Sequence, residues 1–124
     1  MTPLPKQPVR GSDTGRPIMA ALDLLGRRWC LRILWELRGP PMTFRALQAA
    51  CGEISPSVLQ QRLKDLRAAR LAAHDGEGYV LTATARALLP ALLALQDWSE
   101  AWAAEIAAAA SEEEQHGTEG KSEQ

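Results

Sequence analysis

The segment that follows Ser55 carries side chains that can form hydrogen bonds with nucleic acid. Ser55 and Pro56 predict the start of a helix, as its N-cap and its first residue. At about 100° per residue, Leu59, Leu63 and Leu66 lie on one face, which is predicted to be buried. Gln can bond an adenine edge at two points, Arg and Lys can bond guanine, and Ser and Lys can bond phosphate. These residue types occupy the outer face and its flanks: Ser57, Gln60, Gln61, Arg62, Lys64 and Arg67.

The residues around this helix predict the layout of a winged helix-turn-helix. Thr43 is predicted to cap a short helix whose Phe44 and Leu47 face inward, and residues 51–54 turn the chain into the next helix. Residues 75–78, Asp-Gly-Glu-Gly, separate two short β-compatible runs and predict a hairpin, the wing. The predicted fold class is therefore mainly α with a small β-hairpin wing. Outside the outer face, the predicted DNA-binding residues are Arg27, Arg28, Thr43, Arg45 and Ser55.

The C-terminal part of the chain predicts one long helix over about residues 83–110, with a kink at Pro90. A seam of Leu88, Leu92, Leu95, Ser99, Trp102 and Ile106 recurs in steps of four and three, and Leu89, Leu93 and Trp98 form a second stripe. One small domain cannot cover both stripes, so the sequence predicts N- and C-terminal dimerisation helices. The predicted interface comprises Leu22, Leu25, Leu89, Leu92, Leu93, Leu95, Trp98, Trp102 and Ile106.

The remaining segments set the predicted domain boundaries. Residues 1–15, rich in Pro and Gly, predict a disordered arm, and residues 111–124 predict a disordered acidic tail. Residues 16–110 form the predicted domain. Its first helix is expected to begin at Pro17 and stop at Gly26, and its second to run from about Arg28 to Arg38.

The net charge of −1 conceals a strong asymmetry along the chain. Residues 27–70 contain nine Lys or Arg against three acids, a balance of +6, whereas residues 83–124 contain two bases against eight acids, a balance of −6. A basic middle segment fits a surface that faces phosphates, although solvated helix faces would have the same composition.

Several classes of protein are not expected. No apolar run approaches the roughly 20 residues of a membrane span, and the first residues do not form a secretory signal, so a cytoplasmic protein without membrane contact is expected. Cys30 and Cys51 have no nearby histidine or third thiol, so neither a metal site nor a cofactor is expected. The sequence also lacks a Gly-rich phosphate loop and a spaced nucleophile and base, so no catalytic residue and no enzyme activity are expected.

From about Pro17 to Trp102 the chain resembles the HxlR family of bacterial regulators, relatives of the MarR group. The resemblance rests most firmly on residues 54–66, ISPSVLQQRLKDL, which are similar to the family's ISPKVLTQRLREL. Residues 22–29 (LDLLGRRW), 33–37 (ILWEL), 44–47 (FRAL), 79–82 (YVLT) and 86–90 (RALLP) add further matches in the same order. The resemblance implies a dimer with paired recognition helices in successive major grooves, which regulates responses to aldehydes, quinones, oxidants or drugs.

Two departures from the family pattern bear on function. Many members open the first helix with a Cys-Pro pair whose thiol senses electrophiles, and here Arg16 precedes Pro17. A sensing role for Cys30 or Cys51 stays open on the sequence alone. The predicted wing is also shorter than the family's and acidic, which leaves its contact with DNA open.

The expected function is sequence-specific binding of double-stranded DNA by a homodimeric transcriptional regulator, a repressor acting on a palindromic operator. The alternative is a winged-helix protein-interaction module that has lost operator binding and acts on another regulator. A small-molecule effector, unidentified, is a further possible partner. The four tryptophans either line a pocket for it or pack in the core and interface.

Overall fold

The computed structural model describes residues 2–5 and 16–122, with side chains through residue 115. The elements are α1 (Pro17–Leu25), α2 (Cys30–Glu36), α3 (Phe44–Ala50), α4 (Pro56–Ala68), β1 (Ala72–Asp75), β2 (Gly78–Leu81), α5 (Ala83–Arg86) and α6 (Leu89–Ser122). The chain divides into two compact units, Met1–Leu89 and Pro90–Gln124. The predicted class, mainly α with a β-hairpin wing, is confirmed.

Local sequence signals explain where the helices of the first unit begin. Pro17 occupies the first turn of α1, as predicted. The side-chain oxygens of Thr43, Ser55 and Thr82 accept hydrogen bonds from backbone N–H groups at 3.1, 3.3 and 3.2 Å, which caps α3, α4 and α5. The prediction for α2 was two residues early at its start. Trp29 takes a left-handed backbone conformation, φ +80°, so the helix begins only after it.

The wing is a two-stranded antiparallel hairpin in which Ala72 pairs with Leu81 and Asp75 with Gly78. The Asp75 carboxylate closes the turn, because its Oδ1 accepts hydrogen bonds from the N–H groups of Glu77 (2.7 Å) and Gly78 (3.0 Å). Gly78 is required here. Its φ is +147°, and an added Cβ would lie 2.5 Å from the carbonyl oxygen of Met42.

Met42 extends the hairpin as an isolated bridge to Tyr79. Its N–H donates to the Tyr79 carbonyl at 3.1 Å, and the Tyr79 N–H donates to the Met42 carbonyl at 2.7 Å. The segment between α2 and α3 is thereby joined to the wing.

The core of the first unit is aliphatic and gathers side chains from the first four helices. Its largest fully buried side chains, each under 2% exposed, are Ile33, Leu34, Leu37, Leu47, Leu59 and Leu66, with Cys30 and Cys51. The predicted inner face of α4 is confirmed, since Leu59, Leu63 and Leu66 are all buried. This packing fixes which face of α4 remains exposed.

The chain after the wing differs from the single kinked helix that the sequence predicts. The helix is interrupted at Ala87 and Leu88. As a result, α5 is a short separate helix and Pro90 lies in the first turn of α6. Pro lacks an N–H but is tolerated in a first turn, where that donor has no intrahelical partner. Helix α6 also runs to Ser122, past the predicted end near Ala110. Residues 123–124 lie outside the described residues.

The N-terminal prediction also needs a correction. Residues 1 and 6–15 of the predicted disordered arm lie outside the described residues. Within residues 2–5, Pro3 is buried and the Thr2 hydroxyl donates a hydrogen bond to Asp65 at 3.0 Å. This short segment is therefore held against α4.

No helix among the described residues is long and apolar enough to cross a membrane.

Candidate nucleic-acid interface

The outer face of α4 is polar and exposed to solvent. Gln60, Lys64 and Arg67 are exposed there, while the opposite face of the helix is anchored in the core. An open groove of about 490 Å³ follows this face and meets the wing at Tyr79; it is lined by Gln60, Leu63, Lys64, Arg67, Ala68 and Tyr79. The helix thus presents amide and cationic groups along one side of a groove, the chemistry that base edges and phosphates require.

Hydrogen bonds in the turn between α3 and α4 fix the position of the start of α4. The side-chain amide of Gln48 donates to the Ile54 carbonyl at 3.0 Å, and the backbone carbonyl of Gln48 accepts from the Glu53 N–H at 2.9 Å. The hydroxyls of Ser55 and Ser57 lie 3.0 Å apart at the start of α4. Exposed hydroxyls at the start of a helix suit contact with phosphate.

Asp65 is the one buried charged residue among the described residues, at 3% exposed, although it lies on the same helix as the exposed polar face. Its Oδ1 accepts hydrogen bonds from the Thr2 hydroxyl (3.0 Å) and the Gln61 side-chain amide (3.1 Å). Its Oδ2 accepts from Nη1 of Arg62 (2.7 Å) and Nη1 of Arg27 (3.2 Å). We call these five residues the Asp65 cluster. It ties the N-terminal segment, the α1–α2 connection and α4 together.

The cluster keeps Asp65 ionised despite its burial. Burial alone raises the pKa of the carboxyl group, but the hydrogen bonds from Thr2 and Gln61 and the charges of Arg27 and Arg62 outweigh it. The pKa of Asp65 is therefore below its ordinary value of 3.8. At neutral pH the carboxylate is charged and neutralises cations within the fold.

The predicted DNA-binding residues therefore fall into two groups. Eight are exposed and do not belong to the Asp65 cluster: Arg28, Thr43, Arg45, Ser55, Ser57, Gln60, Lys64 and Arg67. The other three, Arg27, Gln61 and Arg62, bond Asp65. Their contact with DNA stays a prediction, since the structure contains no nucleic acid. Sequence reasoning missed Asp65, although an acid beside the apolar stripe, with Gln61 and Arg62 one turn before it, is the signal that could have found it.

The predicted interface residues are mostly exposed in the single chain. Leu22 on α1 and Trp98 on α6 are 59% and 58% exposed, and the rings of Trp98 and Trp102 stack with centroids 5.5 Å apart. Leu93, Leu95 and Ile106 are also exposed, whereas Leu25 and Leu89 are half-buried. The prediction that Leu92 belongs to the interface needs correction. It is only 8% exposed in the single chain, so its apolar side chain is already covered and is not left for a partner.

Neither cysteine has the features of a reactive thiol. Cys30 and Cys51 are 0% and 1% exposed, and burial raises the pKa of both thiols. Electrophiles react with an accessible thiolate, which both properties oppose.

Comparison with known proteins agrees with a helix-turn-helix fold. Residues 24–107 match the HxlR-like helix-turn-helix family. The chain is 30% identical over 89 residues to the HTH-type transcriptional regulator YvaP of Bacillus subtilis, covering 66% of this chain and 82% of that protein.

Two solved structures share this fold with the chain. Quinone-bound YodB from Bacillus subtilis superposes with a TM-score of 0.63 at 29% identity, covering 67% of this chain and 94% of YodB. A MarR-family transcriptional regulator from Enterococcus faecalis also gives 0.63, at 26% identity, covering 80% of this chain and 96% of that one. With an exposed recognition helix, a wing and a family match over most of its ordered length, the chain belongs to the HxlR-like helix-turn-helix family of transcriptional regulators.

Proposed function

We propose that this protein is a transcriptional repressor that binds a palindromic DNA operator as a homodimer. The observation that carries the proposal is the exposed polar face of α4, with Gln60, Lys64 and Arg67 beside the wing. A helix of this kind fits the major groove, where an amide reads a base and cations bind phosphate.

The exposed residues divide naturally between reading and anchoring. Gln60 supplies the bidentate amide for a base edge, with Ser57 one turn earlier on the same face. Lys64 and Arg67 continue the face toward its C-terminal end, and Arg45 adds a cation on α3. The hydroxyls of Thr43 and Ser55 also cap helices, and they are exposed at the two helix starts where phosphate contacts are expected.

The exposed apolar side chains support a homodimer. Ile18 and Leu22 on α1, and Leu93, Leu95, Trp98, Trp102 and Ile106 on α6, are each about half exposed or more. A second copy that covers them would give an assembly with two α4 helices, one from each copy. Two sites about 34 Å apart read a palindrome, whereas one site offers few base contacts. Repression then needs only occupancy of the promoter by the dimer.

YodB was solved with a bound quinone, and this supports a small-molecule effector for the present protein as well. In this chain we propose that the effector binds without a covalent bond, because both thiols are buried and have raised pKa values. Release from operator DNA by a quinone should then be the same for the wild type and for the double variant C30A and C51A. Loss of the response in that variant would instead assign the sensing to a thiol.

Selection of bound sequences from a random duplex pool, followed by binding titrations, tests the proposed function. Enrichment of a palindrome is expected, and Q60A should weaken binding to it by about 1–3 kcal/mol with little effect on random duplex. Q96A is the matched control, since Gln96 is an exposed amide on α6. A pool with no enriched sequence would favour the protein-interaction module instead.

A further inference from the structure

The cations of the DNA-binding surface are in two different electrostatic states. Lys64 and Arg67 are exposed, and within the described part of the chain no carboxylate pairs with either of them. Arg27 and Arg62 instead share the Oδ2 atom of Asp65, and their side chains are only 25% and 24% exposed. One carboxylate thus offsets charge from two arginines of the predicted DNA-binding set.

The orientation of Arg62 strengthens this distinction. Its Nη1 lies 2.7 Å from Asp65, and its Nε is buried without a hydrogen-bond partner in the described residues. The guanidinium therefore faces inward. A phosphate contact would require Arg62 to leave a short charge-assisted hydrogen bond, which is among the strongest polar contacts in a fold.

We propose that Asp65 withholds Arg27 and Arg62 from the phosphate backbone and so limits the affinity for duplex DNA of any sequence; this rests on the proposed function. Every cation that neutralises a phosphate strengthens binding to all sequences alike, whereas base contacts separate one sequence from another. Holding two arginines inside the fold lowers the sequence-independent part of the affinity. Binding to duplex of any sequence weakens as a result, and the ratio of operator binding to random binding still depends on the base contacts.

The same carboxylate assigns unequal roles to the two neighbouring glutamines. The Gln61 amide nitrogen donates to Oδ1 of Asp65 at 3.1 Å, so one of its two N–H groups is occupied and the orientation of the amide is fixed by Asp65. Gln60 is exposed, lines the groove and lies outside the Asp65 cluster. Gln60 is therefore the reader, and Gln61 is a positioning residue.

The salt dependence of binding tests the proposal, because a purely structural role would leave its slope unchanged. D65N keeps the size of the side chain and removes its charge. We expect its binding to random duplex to strengthen and its slope of log K against log salt to steepen by about one to two units, as one or two arginines become free for phosphates. The operator-to-random ratio should stay close to the wild-type value, because contacts with phosphate strengthen binding to all sequences alike.

E36Q is the matched control for D65N. It removes the same charge from an ion pair on α2, where Arg32 lies 2.9 Å from Glu36. If both variants steepen the slope equally, the effect is one of net charge and the proposal is wrong. A folded D65N protein with the wild-type slope also overturns it.

A second set of variants decides the matter even if D65N does not fold. In the wild-type background, R27Q and R62Q should leave the slope unchanged, whereas K64Q and R67Q should each flatten it by about one unit. A slope flattened by R62Q or R27Q as much as by K64Q would show that the arginines do contact phosphate, and it would overturn the inference alone. If the wild type binds no duplex even at low salt, the proposed function itself fails.

Discussion

The winged-helix unit and helix α6 use their apolar side chains in opposite ways. In the first unit, Ile33 and Leu37 are 0% exposed, and each helix from α1 to α4 contributes residues to the core. On α6, Trp98 and Ile106 are 58% and 55% exposed. The first unit thus satisfies its hydrophobic surface within the chain, whereas α6 presents a surface that gains stability only when something else covers it. This contrast is the main support for the proposed dimer.

The strongest test of the contrast replaces both stacked tryptophans, as W98E with W102E. Charges on this face should separate the proposed dimer into monomers while the winged-helix unit stays folded. Operator affinity should fall about 100-fold or more, because linked modules gain that much from avidity. Analytical ultracentrifugation and circular dichroism give the two readouts. E100Q with E105Q is the control on the same helix, and a wild-type monomer that binds its operator would contradict the dimer.

Paired leucine variants sharpen the comparison at the level of stability. L37A removes a fully buried side chain and should lower the free energy of unfolding by about 2–5 kcal/mol. L93A removes a side chain that is 49% exposed in the single chain, so its cost should arise from the dimer. Denaturation at several protein concentrations separates the two, because only stability gained from association depends on concentration. An L93A effect that is constant with concentration would place Leu93 in the chain's own core.

The wing offers a matched pair of glycines within the first unit. G78A should destabilise the protein by about 2 kcal/mol, because φ is +147° and the new Cβ would meet the Met42 carbonyl. G76A should change stability by no more than about 0.5 kcal/mol, since nothing lies within 4 Å of its Cβ position. Thermal melts compare the two. Equal melting temperatures would show that the wing moves away from Met42 at little cost.

The smallest expected effect concerns pH and the first unit alone. The pKa of Asp65 is lowered in the fold, so its ionised form stabilises the native state above the ordinary value of 3.8, and that contribution is lost as the pH falls through the lower folded pKa. Urea titrations from pH 6 down to pH 3 should therefore show a shallower loss of stability for D65N than for the wild type. D97N is the control, because Asp97 is exposed on α6. Identical pH profiles for D65N and the wild type would contradict the lowered pKa.

The sequence predicted the fold well wherever a single residue decides the local geometry. Pro17 and the caps Thr43 and Ser55 start their helices where expected, and the turn before Gly78 forms the wing. Trp29 was not predictable in the same way. A non-glycine residue in a left-handed conformation is held by its surroundings and carries no local signal.

The site was predicted by residue type but not by electrostatic state. Residue types and helical spacing identified the outer face of α4, because both depend on neighbours a few positions apart. The Asp65 cluster joins residues 63 positions apart in the chain, Thr2 and Asp65, and no periodic pattern encodes such a contact. The distinction between Arg62 and Arg67, both basic and both on α4, therefore appeared only in three dimensions.

The two cysteines can report how often the winged-helix unit opens transiently. Both thiols are buried, and both lie in the winged-helix unit. The sequence contains no other cysteine, so a thiol reagent reports on this unit alone. A thiol reagent can modify them only during an opening of that unit, so the labelling rate measures the frequency of opening without any engineered probe. Addition of operator DNA should slow the labelling, whereas events confined to α6 should leave it unchanged.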